Sequence, residues 1–315
     1  MHTADLMAFP FPQKQLMERK GTFQVHPALG SLDFMQVTSV PPNKVGIVGI
    51  LEAHDWFRSI MRSVRIPTVV VYGLQQPPLD GGPSDMKVLS AEGIRVVGLA
   101  YQGPNKFGGG FAAPNVPLTD EGRSLLRRMS EAGIAVDLSH AGHRMALDAL
   151  SYLEYAAFPS RVIVTHSGCY DVHPHLRNFP DEVFRGVAKH RGLIGLPTVT
   201  WMLHGSDNTL EPFFQHLDHL LQVVGREHIC IGSDGGYYEP LSLEEEQALH
   251  DAMTRMLDPT GVIFHARLPG EAEEIHHPKR LEVLAERIAK RYKSWGLAER
   301  IVGGNLYEYG RKFLC

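Results

Sequence analysis

With 315 residues, a net formal charge of −4, and 43% hydrophobic against 21% charged residues, the chain has the composition of a folded globular protein with a sizeable core. No run of Lys or Arg forms a basic stripe, which argues against nucleic acid or a membrane surface as partner and leaves a small molecule as the expectation. Three widely spaced cysteines, Cys169, Cys230 and Cys315, form neither a disulfide framework nor a zinc-finger pattern.

The first 33 residues are polar and dotted with proline, lack a signal-like segment, and read as an N-terminal extension. No run approaches the roughly 20 apolar residues that span a bilayer, so the expected location is cytoplasmic. Short β-rich runs then follow: "FMQVTSV" (34–40), "TVVVYGL" (68–74), "IRVVGLAY" (94–101), "IAVDLSH" (134–140), "RVIVTHS" (161–167), "LIGLPTV" (193–199) and "HICIGSD" (228–234). Continuous Val/Ile/Leu character marks strands covered on both faces, as in parallel sheets. Amphipathic helices are expected between them over 52–65, 143–155, 181–190 and 211–224, with another opening at the N-cap Thr119 ahead of Asp120 and Glu121. With "VGIVGI" (45–50) as a further strand, the count reaches the eight of a (β/α)8 barrel; a doubly wound open sheet is the alternative. The Gly/Pro-rich "FGGGFAAPNVP" (107–117) is expected to be a mobile loop overhanging the open face. Residues 237–315 read as a mostly helical flank, with "EAEEIHHP" a charged connector, so that 1–315 forms one domain.

Polar residues recur at the ends of these strands: Gln75 and Gln76, Tyr101, His140, His166 and Asp234. In a parallel barrel all such ends converge on one face. His140 and His166 lie one strand–helix–strand step apart, a spacing that lets two imidazoles share a metal ion; separately, each would be an ordinary hydrogen-bonded histidine. Asp234 could orient a ligand, contact an amine or accept a proton, or simply form an Asp-Gly turn. Arg177 suits a substrate carboxylate, or ties down its own loop through Asp181, with His173 and His175 nearby. His216 and His219, three apart on one helix face and read as lacking nearby carboxylate or cysteine partners, are expected to be structural.

Four segments, "AGIAVDLSH", "VIVTHSGCYDVHPHLRNFPDE", "HLDHLLQVVGREHICIGSD" and "VGGNLYEYG", occur in the order and approximate spacing of the membrane (renal) dipeptidase family, peptidase family M19, which the chain resembles over about residues 68–236. The resemblance implies a (β/α)8 TIM-type barrel of the metal-dependent hydrolase kind with extra C-terminal helices, and cleavage of dipeptides by a zinc pair. It makes His140 and His166 the ligands of one zinc, Arg177 the carboxylate contact, Asp234 the contact to the substrate amine, and a homodimer the expected assembly. The sequence also departs from the family. Its N-terminal His-x-Asp has no counterpart, since "MHTAD" has the wrong spacing; its bridging glutamate falls on Gln75 and its substrate-contacting histidine on Tyr101.

The resulting expectation is a zinc hydrolase of a dipeptide or small amide with one ion. Its metal ligands are His140 and His166, its catalytic residues Asp234 and Tyr101, and its substrate contacts Arg177, Tyr101 and Gln75. The alternative is a non-hydrolytic binding protein or tailoring enzyme that has lost the metal centre.

Overall fold

The computed structural model describes residues 1–11, 23–24, 26–41, 44–156, 161–204, 207–239, 241–257 and 270–315. Its strands are β1 (Ala4–Phe9), β2 (Phe34–Thr38), β3 (Val69–Leu74), β4 (Ile94–Gly98), β5 (Ala135–Asp137), β6 (Val162–Ile163), β7 (Ile194–Leu196), β8 (Ile229–Ile231) and the short β9 (Gly235–Gly236). From β1 to β6 each strand pairs in parallel with the next, β7 pairs with β8, and a parallel bridge from Val164 to Ile194 joins β6 to β7. Pairing of Ala8 with Gly235 closes the ring, giving a (β/α)8 barrel rather than an open sheet.

Two elements differ from the sequence expectation. Strand β1 lies inside the segment read as an extension. "VGIVGI" is not a strand: Gly46, in extended backbone (φ −90°, ψ 141°), starts a helix, Ile47–Ser63. Ile50, Ala53, His54, Phe57 and Met61 are buried along that helix at spacings of three and four, so helical periodicity overrides a locally β-like run. Asp85–Ala91 and Thr200–Leu203 are helices that the sequence reading did not foresee, and the other expected helices are present. In Asp120–Glu131, for example, the Thr119 side chain accepts from the Gly122 amide, and Asp120 and Glu121 occupy the first turn.

Alternate strand residues form two separate apolar clusters. One joins the strands to the surrounding helices. The other gathers Leu6, Phe34, Val71, Val96, Ala135, Ile163 and Cys230 inside the ring, closed from below by Leu306, Tyr309 and Leu314 of the chain's last turns. Helix Asn305–Phe313 therefore plugs the barrel floor, and the strands terminate in polar residues at the opposite end. The flank contains helices Leu243–Leu257 and Arg280–Tyr292, and "EAEEIHHP" is more than a connector, because Glu271 is buried. Among the described residues, no helix is long and apolar enough to cross a membrane. Cys169, Cys230 and Cys315 are free thiols.

Candidate active site

Two buried aspartates shape the barrel mouth in the same manner. Asp137, ending β5, accepts from the Ser139 amide (2.9 Å) and from the amide (3.0 Å) and hydroxyl (2.6 Å) of Thr165 beyond β6. Asp5, in β1, accepts from the Met7 amide (2.9 Å), from the amide (2.9 Å) and hydroxyl (2.5 Å) of Ser233 beyond β8, and from the Tyr237 hydroxyl (2.8 Å). Burial raises both carboxyl pKa values, partly offset by these hydrogen bonds. Each carboxylate ties its strand to another strand end, and the residue after the tied hydroxyl is delivered to the mouth: His166 after Thr165, Asp234 after Ser233. Three residues past each aspartate, the first clamp carries His140 and the second carries Ala8.

The two predicted ligand histidines meet. Their Nε2 atoms lie 3.1 Å apart and both rings are buried. Tyr101 stacks on His140 with ring centroids 4.3 Å apart, Phe111 flanks the same ring at 5.8 Å, and the Gln75 amide lies 3.4 Å from His140 Nε2. Arg177, only 3% exposed, places Nη2 2.8 Å from His166 Nε2 and its guanidinium 5.2 Å over the Phe111 ring. A guanidinium only donates, so His166 Nε2 is the acceptor and Nδ1 carries the ring proton. That Nδ1–H is directed at Thr165 Oγ1 (2.9 Å), whose own proton goes to Asp137. The result is a one-way chain of donors from Arg177 through His166 and Thr165 to a buried carboxylate. His140 Nδ1, by contrast, is buried without a partner among the described residues.

Electrostatics favour the neutral form of both imidazoles. Burial, then the Arg177 charge, hold His140 and His166 well below the usual range, and His166 lowers His140 further. Burial likewise pushes Tyr101 upward, reinforced by the charge of Asp234, so it remains a phenol. Arg177 is brought down to about 10 by burial against the support of Asp234, and burial raises Asp234 to about 7 despite Arg177. His140 (φ 69°) and Asp234 (φ 56°) both hold left-handed backbone, unusual for non-glycine residues and concentrated at functional sites.

The structure thus brings Gln75, Tyr101, His140, His166 and Arg177 into one contacting group, with Asp234 coupled to Arg177 and Tyr101 through charge. Arg177 does not tie down its loop through Asp181, which instead bonds Arg185 (2.9 Å) and His219 (2.6 Å). His219 therefore does have carboxylate neighbours, contrary to expectation: Asp171, Asp181 and His219 offer ligand atoms within 4.8 Å of one another. His216 is structural as expected, its ring bridging the Cys169 amide (2.8 Å) and the Leu203 carbonyl (3.0 Å). His173 and His175 stack on each other, and His175 packs against Trp201.

Loop 107–117 does not hang free. It is fastened by Gly142 N to Gly109 O (2.7 Å), Arg144 N to Pro114 O (2.8 Å) and a bridge between Gly110 and Ala141, with Phe111 buried as a wall of the site. A Cβ on Gly110 would lie 2.4 Å from the Gln102 carbonyl oxygen, so this glycine serves close approach rather than mobility. Sequence reading missed Phe111 and the Asp5 clamp. The available signal was the shared pattern "ADL" in β1 and "VDL" at the end of β5, one acid within an otherwise apolar run.

The model of the membrane dipeptidase family, peptidase family M19, matches residues 63–261. The chain belongs to this family. The M19 chain is 32% identical over 190 residues to dipeptidase tcpJ of Claviceps purpurea, covering 58% of this chain and 43% of that protein. It is 29% identical over 191 residues to dipeptidase verJ of Clonostachys rogersoniana, covering 59% and 47%. Each of these matches spans less than half of the curated relative's length. In fold it is similar to an amidohydrolase from Pseudomonas aeruginosa (TM-score 0.76, 17% identity, 99% of this chain and 96% of that one). It is also similar to a metallopeptidase from Rhodobacter sphaeroides bound to a phosphinate mimic of the dipeptide L-Ala-D-Ala (TM-score 0.74, 16% identity, 99% of both chains). These likenesses show the fold, a (β/α)8 barrel.

Proposed function

We propose that this M19 chain hydrolyses a dipeptide or a similarly small amide bearing a free carboxylate, using one metal ion rather than a pair. The observation that carries the reading is the convergence of two neutral imidazole Nε2 atoms beside a buried arginine. His140 and His166 would hold the ion, with Gln75 as a further donor once its amide oxygen faces them, since amide orientation follows the hydrogen-bond network. His166 has the outer partner that ligating histidines use, Thr165. What supports one ion rather than two is that, among the described residues, the end of β1 carries Met7, Ala8 and Phe9, none of them an imidazole or carboxylate. Bound zinc would supply Lewis acidity, polarising the scissile carbonyl and acidifying water.

The protein's own groups account for the rest. Arg177 grips the substrate carboxylate through its guanidinium N–H groups. Asp234, poised near neutrality, receives the substrate amine or a proton. Tyr101, a phenol next to His140, donates to charge developing on the carbonyl oxygen. Phe111 walls the pair from water.

Metal analysis followed by a dipeptide panel tests this. Near one equivalent of zinc, lost in His166→Ala together with peptide hydrolysis, is expected. Hydrolysis by metal-free protein, or zinc retained by a His140→Ala/His166→Ala double variant, would defeat the reading. Ligand binding without turnover by fully loaded protein would favour a binding role, for which the neutral Gln75 amide is the supporting feature.

A further inference from the structure

The lone pair of His166 Nε2 is contested. Its tautomer is fixed from below, because Thr165 Oγ1 spends its proton on Asp137 Oδ2 (2.6 Å) and so receives Nδ1–H (2.9 Å). The single lone pair on the other side of the ring is met by Arg177 Nη2 at 2.8 Å, in a buried setting where a hydrogen bond to a charged donor is strong. One lone pair cannot accept a guanidinium proton and coordinate a cation together. A cation seated there would also stand beside the Arg177 charge in a poorly solvated site.

We propose that Arg177 and the metal compete for His166, and that the substrate's carboxylate resolves the competition in favour of the metal. This rests on the one-ion reading above and adds a coupling to it: a carboxylate draws the guanidinium away from Nε2 and offsets its charge, so carboxylate and metal each strengthen binding of the other. Several contacts make the side chain suited to this. Its backbone is held by the Ser167 hydroxyl donating to the Arg177 carbonyl (3.3 Å) and by the Arg177 amide donating to His175 Nδ1 (3.2 Å). Only the guanidinium, lying over Phe111, needs to shift. The effect is a coupling: an ion is held more firmly when a substrate with a free carboxylate is present than when it is absent, which favours such substrates at the level of metal binding. By linkage the two affinities change by the same factor.

The test measures zinc affinity of the full chain by competition with a chromophoric chelator, alone, with saturating propionate, and with propionamide as uncharged control. Propionate should tighten zinc binding about tenfold, within the range typical of coupled sites, and propionamide should not. Arg177→Met, which keeps the stem and removes the donors, should bind zinc tighter than the parent without propionate and respond to neither additive. An imidazole 15N spectrum of the zinc-free parent gives a check independent of any variant: propionate should move the His166 Nε2 signal toward that of an unbonded nitrogen. Unchanged or weaker zinc binding in Arg177→Met, or no propionate effect in the parent, overturns the competition while leaving the one-ion hydrolase intact if peptides are still cleaved. Absence of zinc from both proteins overturns both.

Discussion

At the scale of single residues, Gln75 holds the most informative position. Its neutral amide sits 3.4 Å from His140 Nε2, where an anionic oxygen would attract a cation far more strongly. Gln75→Glu should raise zinc affinity by roughly tenfold or more, the scale on which neighbouring groups alter metal sites. Chelator competition checks it, and an unchanged affinity would mean Gln75 does not face the ion. Asp5 offers a second test. Removing its carboxylate strands the hydroxyls of Ser233 and Tyr237 and two amides, so Asp5→Ala should cost on the order of 3 kcal/mol in urea unfolding. It should also impair turnover by releasing Asp234, which follows Ser233. The meeting of His140 and His166 is legible in the sequence because strand ends of a parallel barrel converge, whereas Arg177, in the loop after His166, is singled out only by the fit of its guanidinium to a carboxylate. The contact of Arg177 with His166 is not legible, since spacing locates a Cα and says nothing of where a long side chain reaches.

At the scale of elements, the segment around Glu271 shows how a charged stretch becomes structure. Arg280 Nη2 donates to Glu271 Oε2 (2.8 Å), Thr198 Oγ1 donates to Oε1 (2.5 Å), and both charged side chains are buried. Burial alone would raise the Glu271 carboxyl, but Arg280, His276 and Thr198 bring it below its ordinary value. Breaking the pair by Arg280→Met should cost about 3–5 kcal/mol, whereas adding Glu271→Gln should recover part of that loss; thermal and urea unfolding of the two variants separate the cases. His276 extends the network, bonding Glu246 at 2.9 Å and raised to about 9 by Glu246 and Glu271. Its folded pKa exceeds the ordinary 6.5, so the stability it adds is complete below pH 6.5 and is lost as pH rises through about 9. Tm should fall across that window, and His276→Gln should flatten the fall. None of this was visible in "EAEEIHHP", because charge density predicts solvation unless a partner such as Arg280 is known. Strand β1 was hidden for a related reason. Asp5 breaks its apolar run and prolines follow at once, so its identity depends on pairing with β2 and β9, which local sequence does not encode.

At the scale of the whole molecule, the floor and the mouth of the barrel are separate layers, and this separation predicts which changes affect only stability. The last helix enters the floor closely enough that a Cβ on Gly310 would lie 2.4 Å from the Phe34 ring, itself fully buried among Leu6, Val71 and Leu306. Gly310→Ala must displace that ring in a packed interior, at a cost of about 1–3 kcal/mol. The mouth is tied by a different set of bonds, Asp137 to Thr165 and Asp5 to Ser233, none of which passes through Phe34 or the last helix. Gly310→Ala should therefore lower Tm while zinc affinity and kcat, measured well below the transition, stay at parental values. A matched loss of zinc affinity would show that the floor sets the geometry of the histidine pair, and that stability and chemistry in this barrel are not separable.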